Sequence, residues 1–183
     1  MAIRNLQEKF VHELEDIYDA EHQFLEGQQE MLQKAKDPNL ANMITQHIDQ
    51  TQQHIANLEQ VFNLLGQKAN RTTCAGAKGI VTEGQKLFKE IGNDHQELLD
   101  CAIAGAASKV EHYEISTYRG LIQAADLTGQ REIVSLFQQN LQQEEQTAQL
   151  IEQSTPQLLQ TAMQFEGSQS MSGGNFQQAG PTY

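Results

Sequence analysis

AASKVEHYEIS, residues 106–116, has the spacing of a long amphipathic helix with acidic residues in its middle. Leu99, Ile103, Ala106, Val110, Thr117 and Leu121 recur at helical intervals and form one apolar stripe. Glu114 falls close to the centre of that stripe, and Glu111 lies on its edge about one turn earlier. A carboxylate that gives up water inside a protein costs several kcal/mol unless something compensates it. The fold and the chemistry of this chain both turn on what these two residues face.

Three more long helices carry similar stripes. The first spans about 3–35, through Ile3, Leu6, Phe10, Leu14, Ile17, Tyr18, Phe24, Leu25 and Leu32. After KDPNL, Asp37 has the chemistry of an N-cap and Pro38 that of a first helical residue. The second helix then runs to Leu65 through Leu40, Ile44, Ile48, Ile55, Leu58 and Phe62, and Gly66 suits a left-handed C-terminal position. The helix that contains Glu111 and Glu114 spans about 94–129, and a fourth spans about 130–159, through Ile133, Phe137, Leu141, Ala148, Ile151 and Leu158. Residues 66–92 form a long connection. Within it NRTTCAGAKG is turn-like, and IVTEGQKLFKEIG has the pattern of a short helix.

The β-branched residues are scattered rather than alternating, which argues against a sheet. The spacing therefore predicts an all-α fold. Its links are tight between helices one and two and between three and four, and long between two and three. That is the connectivity of a ferritin-like antiparallel four-helix bundle, with a long 2–3 crossover carrying a short helix. Each rod of roughly thirty residues would reach about 45 Å. The bundle is expected over residues 1–166. Residues 167–183, poor in apolar side chains and rich in Gly and Ser, are expected to form a flexible C-terminal tail.

The 183-residue chain has a formal charge of −12, with 12 Lys and Arg against 24 Asp and Glu. Such a surface repels phosphate backbones and disfavours nucleic-acid partners. There is no basic amphipathic stretch and no run of about 18 apolar residues, and MAIRNLQEKF lacks a signal-peptide core. A cytoplasmic protein without membrane contact is expected. Cys74 and Cys101 have no CxxC spacing and read as reduced thiols. No nucleophile elbow, P-loop or dinucleotide Gly-rich motif occurs, so hydrolase, kinase and dehydrogenase chemistry has no residues to use.

The interruption at Glu114 is repeated on the other helices. At 100° per residue, Glu21 falls at the centre of the first stripe and Glu144 at the centre of the fourth, while His54 lies inside the second. A weak internal repeat supports this. AEHQFLEG (20–27) resembles VEHYEIST (110–117), and IDQTQQHI (48–55) resembles LQQEEQTA (141–148). Two hairpins related in this way bring the marked positions together. One inward glutamate alone has an ordinary explanation: it escapes to water at a bundle end or bonds a buried Tyr or Ser. Several carboxylates together raise each other's pKa, and Lys and Arg are scarce in the stripes. A cation is the natural compensation. Glutamates with an imidazole suit iron or manganese, and zinc less specifically.

FVHELEDIYDAEHQ (10–23), KVEHYEISTYRGLI (109–122) and LEQVF after His54 resemble the YciE/YciF-like branch of the ferritin-like proteins, over roughly residues 3–160. The resemblance implies a bacterial, stress-induced dimer of ferritin-like bundles. The wider superfamily, rubrerythrin included, places Glu on the first helix, Glu-x-x-His on the second and fourth, and Glu or Glu-x-x-Glu on the third. Glu21, His54, Glu111, Glu114 and Glu144 match that pattern. Thr51 stands where the second-helix Glu is expected and Thr147 where the fourth-helix His is expected. Asp49 and Gln50 lie near the gap, and a local π-bulge would turn either inward. His47, two turns before His54, reads as a core or supporting residue. Tyr18 and Tyr113 flank the inferred site. No paired CxxC for a rubredoxin-like module occurs, so electrons would come from outside the chain.

Two functions follow as expectations. The first is a dinuclear iron or manganese protein of stress defence that handles oxygen or peroxide, with Glu111 or Glu114 bridging two divalent ions. The second, suggested by the shortened ligand set, is a non-enzymatic dimeric stress protein with a degenerate or structural metal site.

Overall fold

The computed structural model describes residues 3–172. Five helices follow one another: α1 (Leu6–Lys34), α2 (Pro38–Leu64), α3 (Ala75–Ile91), α4 (Gln96–Leu127) and α5 (Arg131–Ser172). Helices α1, α2, α5 and α4 form the bundle in that cyclic order, with α3 packed outside on α1 and α4. Phe10 of α1 shares a cluster with Phe62 of α2, Leu121 of α4 and Phe137 of α5. Met31, Leu40, Leu99 and Leu158 share the cluster at the other end. These pairings make every neighbouring pair antiparallel and leave α2 and α4 parallel. The 2–3 link must therefore run the length of the bundle, and α3 is the helix that carries it back. The all-α bundle with one crossover is the expected architecture.

Local chemistry explains the element ends. The Asp37 carboxylate accepts from Asn39 and Leu40 N–H, and Pro38 opens α2. Gly66 and Gly129 take φ of +65° and +71°. The following N–H groups of Gln67 and Gln130 reach back to Phe62 and Ala125 carbonyls, so each helix closes on itself through a left-handed glycine. The crossover is held down by α1. Glu15 accepts from Thr72 Oγ1 at 2.6 Å and Asn70 Nδ2 at 3.1 Å, and Asp19 accepts from Arg71 Nε and Cys74 N, both at 2.8 Å. At the opposite end Asp100 of α4 accepts from Lys36 and Asp37 N–H across the α1–α2 turn.

Three expectations are corrected. Ile3 and Leu6 do not belong to the first stripe: they precede or open α1 and are 49% and 79% exposed. The turn-like 70–79 segment is already helical from Ala75, because Cys74 Sγ accepts from Ala77 N–H and caps α3 there. The last helix does not stop near Leu159. It passes Pro156 and runs to Ser172, with Ser154 and Thr155 hydroxyls bonded to the Ile151 carbonyl just before the proline. The tail expected over 167–183 is thus helical up to Ser172, and its remainder lies outside the described residues.

Candidate metal centre

Between the two apolar clusters lies a polar layer, to which α1, α2, α4 and α5 all contribute. Glu21, His54, Glu114 and Glu144 are fully buried, and Glu111 and His47 are 1% and 4% exposed. Their donor atoms fall into two groups, within each of which all atoms lie within 4.8 Å of one another: His47, Glu111, Glu114 and Glu144, and Glu21, His54 and Glu144. Glu144 belongs to both. Its Oε1 is 2.8 Å from His54 Nδ1 and its Oε2 is 3.5 Å from His47 Nε2. His47 Nε2 also lies 3.1 Å from Glu111 Oε1, and His54 Nδ1 lies 3.6 Å from Glu21 Oε1.

Each imidazole is oriented by a glutamine on its far nitrogen. Gln143 Oε1 is 2.8 Å from His54 Nε2, and Gln50 Oε1 is 3.2 Å from His47 Nδ1, where Thr147 Oγ1 also approaches at 3.3 Å. With the ring proton on that far nitrogen, the glutamine oxygen accepts it and the inner nitrogen presents a lone pair to the centre.

The five glutamates and histidines marked in the sequence thus meet. Asp49 does not join them: it is exposed on an unbroken α2, with no π-turn to rotate it. Gln50 faces His47 rather than the carboxylates. The residue that sequence reasoning misplaced is His47, which contributes a donor atom directly. Its signal was its position seven residues before His54 on the same stripe. Sharing of a carboxylate between the two groups falls to Glu144, not to Glu111 or Glu114.

The two departures from the superfamily pattern are each answered across the bundle. Thr51 exchanges hydrogen bonds with Gln28 of α1, at 3.0 and 3.1 Å, so a neutral pair fills the space expected of a glutamate. The imidazole absent at Thr147 is supplied by His47 opposite it. Tyr18 and Tyr113 are not part of the layer: Tyr18 donates to Glu59, and Tyr113 donates to Asp16 and contacts Cys74. Tyr118, one turn after Glu114, takes the place expected of them.

Tyr118 O–H donates to Glu21 Oε1, and Asn140 Nδ2–H donates to the Tyr118 oxygen at 2.9 Å. Asn57 continues the chain to Asn140 at 2.7 Å, and accepts from the exposed Gln53. Burial, and then the Glu21 carboxylate, push the Tyr118 hydroxyl well above its ordinary pKa, so it remains a donor. Tyr118→Phe is expected to strand Glu21 Oε1 and the Asn140 amide, at roughly 1–3 kcal/mol. Thermal unfolding should show a midpoint several degrees lower, and an unchanged midpoint would refute that role.

The layer is electrostatically unbalanced as a set of protein groups alone. Eight buried side-chain N and O atoms of this layer find no partner beyond its own carboxylates and imidazoles. No Lys or Arg among the described residues pairs with its glutamates. Burial pushes Glu111 up to about 7 and Glu144 up to about 8. It pushes Glu114 well above the carboxylate range, with the Glu144, Glu21 and Glu111 charges adding to it. Four carboxylates and two imidazoles fit divalent cations in both charge and donor type.

Fold and site together define a ferritin-like helical bundle whose core carries a carboxylate–histidine cluster able to hold metal. The chain belongs to the family described as a domain of unknown function, DUF892, whose pattern matches residues 5–164. Protein YciF of Escherichia coli (strain K12) is 28% identical over 148 residues, which is 80% of this chain and 88% of that protein. The crystal structure of the E. coli stress protein YciF superposes with a TM-score of 0.81 at 25% identity, covering 86% of this chain and 99% of the other. YcfI from Rhodopseudomonas palustris superposes with a TM-score of 0.79 at 34% identity, covering 82% and 94%. No helix among the described residues is long and apolar enough to cross a membrane.

Proposed function

We propose that this chain is a dinuclear metal protein of bacterial stress defence, binding two divalent ions of iron or manganese in the bundle core and acting on oxygen or peroxide. The observation that carries this reading is one buried layer in which four carboxylates and two imidazoles converge, with no Lys or Arg among the described residues paired to them. His47, Glu111 and Glu114 would hold one ion and Glu21 and His54 the other, with Glu144 shared. Bound iron or manganese supplies redox equivalents and open coordination positions toward oxygen or peroxide.

The rest is done by the chain itself. Gln50 and Gln143 hold the imidazoles in the tautomer that presents a lone pair inward. The apolar clusters on both sides exclude water. Tyr118 holds a proton against Glu21 and connects it through Asn140 and Asn57 to the surface. The stress role rests on likeness to the E. coli protein, and the homodimer implied by the resemblance belongs to the same reading.

Metal analysis of protein purified without chelator and reconstituted tests it. About two ions per chain are expected, and less than about 0.2 would overturn the reading. His47→Ala removes an imidazole from one group only. It should lower the content to about one ion per chain, because His54, Glu21 and Glu144 remain. The neutral Gln28–Thr51 pair favours the second reading, a structural metal site without turnover. Peroxide or oxygen consumption by the loaded protein would eliminate that alternative.

A further inference from the structure

A small cavity of about 20 Å³ adjoins the polar layer on one side, between α1, α2, α4 and α5. That volume holds about one small molecule. Apolar side chains such as Met31, Ile44 and Val110 form much of its wall, and Gln28 and Thr147, which also line it, are bonded to Thr51, His47 and Gln50. His47 and Glu111 border the same cavity, so it abuts one donor group and not the other: neither Glu21 nor His54 lines it. Among its lining residues only Met43 is half-buried, the others being buried. The thin side of the wall is therefore at Met43.

These features select a ligand. Water in such a space would lack the polar partners that hold buried water in place. Hydrogen peroxide would surrender its hydrogen bonds to enter, without replacement. A small apolar gas loses nothing on entry and gains dispersion contacts from the side chains around it. We infer that the cavity binds dioxygen and delivers it to the His47–Glu111 side of the centre, Met43 lying at its entrance. This rests on the metal reading above and narrows its substrate class to dioxygen.

Xenon reports the cavity without metal or turnover. Metal-free wild-type crystals under xenon pressure should show a xenon atom against Ile44 and Val110. Ile44→Phe, which fills the space, should abolish it, and Ala107→Leu fills it from α4 if the first variant fails to fold. In the ferrous-loaded filled variant, oxidation by dioxygen should slow at least about tenfold, while oxidation by hydrogen peroxide changes less than about twofold. Absence of xenon in a wild-type chain that binds two metal ions overturns the delivery role alone. Equal rates with dioxygen in wild-type and filled proteins also overturn it, as does equal slowing with both oxidants. A wild-type chain that takes up no metal overturns the function proposed above, and the delivery role with it.

Discussion

Glu144→Gln is expected to empty the Glu21–His54 group and weaken the other, lowering the content from about two ions per chain to one or fewer. Glu144 is the one residue common to both donor groups, and its two oxygens face different imidazoles, at 2.8 and 3.5 Å. The amide preserves shape and packing but provides no anionic oxygen to share. The same substitution should make the metal-free protein more stable in alkaline buffer. Burial holds the Glu144 carboxyl up to about 8, so above that pH the chain buries an ionised group that the unfolded state exposes freely. Removing it should recover on the order of a few kcal/mol above pH 8. Elemental analysis and urea unfolding in chelator read the two effects separately. A variant that keeps two ions would refute the shared role of Glu144.

The metal-free protein should lose stability as pH rises from about 5 to about 8, and metal should restore it. Ordinary carboxyls lose their protons near 4.5, whereas Glu111 and Glu144 hold theirs to about 7 and about 8, and Glu114 higher still. Between those limits the native state binds more protons than the unfolded state. Stability then falls with rising pH, by about 1.4 kcal/mol per pH unit for each such proton.

His54 contributes in the same direction. Burial opposes its charge, but the Glu21 and Glu144 carboxylates outweigh that and raise its pKa well above 6.5. Its stabilisation is full below 6.5 and is lost as pH climbs through its folded value. Divalent ions take over the protons' role, so their uptake should release protons and strengthen with pH. Urea midpoints across this range, with chelator and with metal, check the prediction. A flat or rising profile without metal would refute it.

Much of the centre was legible because a stripe interrupted by Glu21, Glu114 and Glu144 is a local pattern. A buried carboxylate needs compensation wherever the helix finally packs. His47 was harder to read. A histidine on an apolar face satisfies its ring with any nearby acceptor, and whether its inner nitrogen meets Glu111 depends on a helix from the other hairpin. Gln28 and Gln143 were invisible for a similar reason: glutamine on a helix edge carries no signal until its partner is known. The full extent of α5 was missed because Gly, Ser and Gln beyond Leu159 weaken helix propensity without forbidding it, and the helix already in place propagates at small cost.

That four amphipathic rods pack around a core, each bringing a metal-competent side chain inward, is readable from residue order alone. Both follow from the period of the helix and from the unfavourable solvation of buried charge. Packing between the helices is what lets Glu144 serve both halves of the centre, sets His47 against Thr147, and brings Tyr118 rather than Tyr18 or Tyr113 to Glu21. Those outcomes depend on how far each rod is shifted along its neighbours. A shift of one residue is about 1.5 Å along the axis with a rotation of about 100°, enough to exchange one facing side chain for another. Such offsets are set by the packing of side chains from different helices, which no single helix encodes.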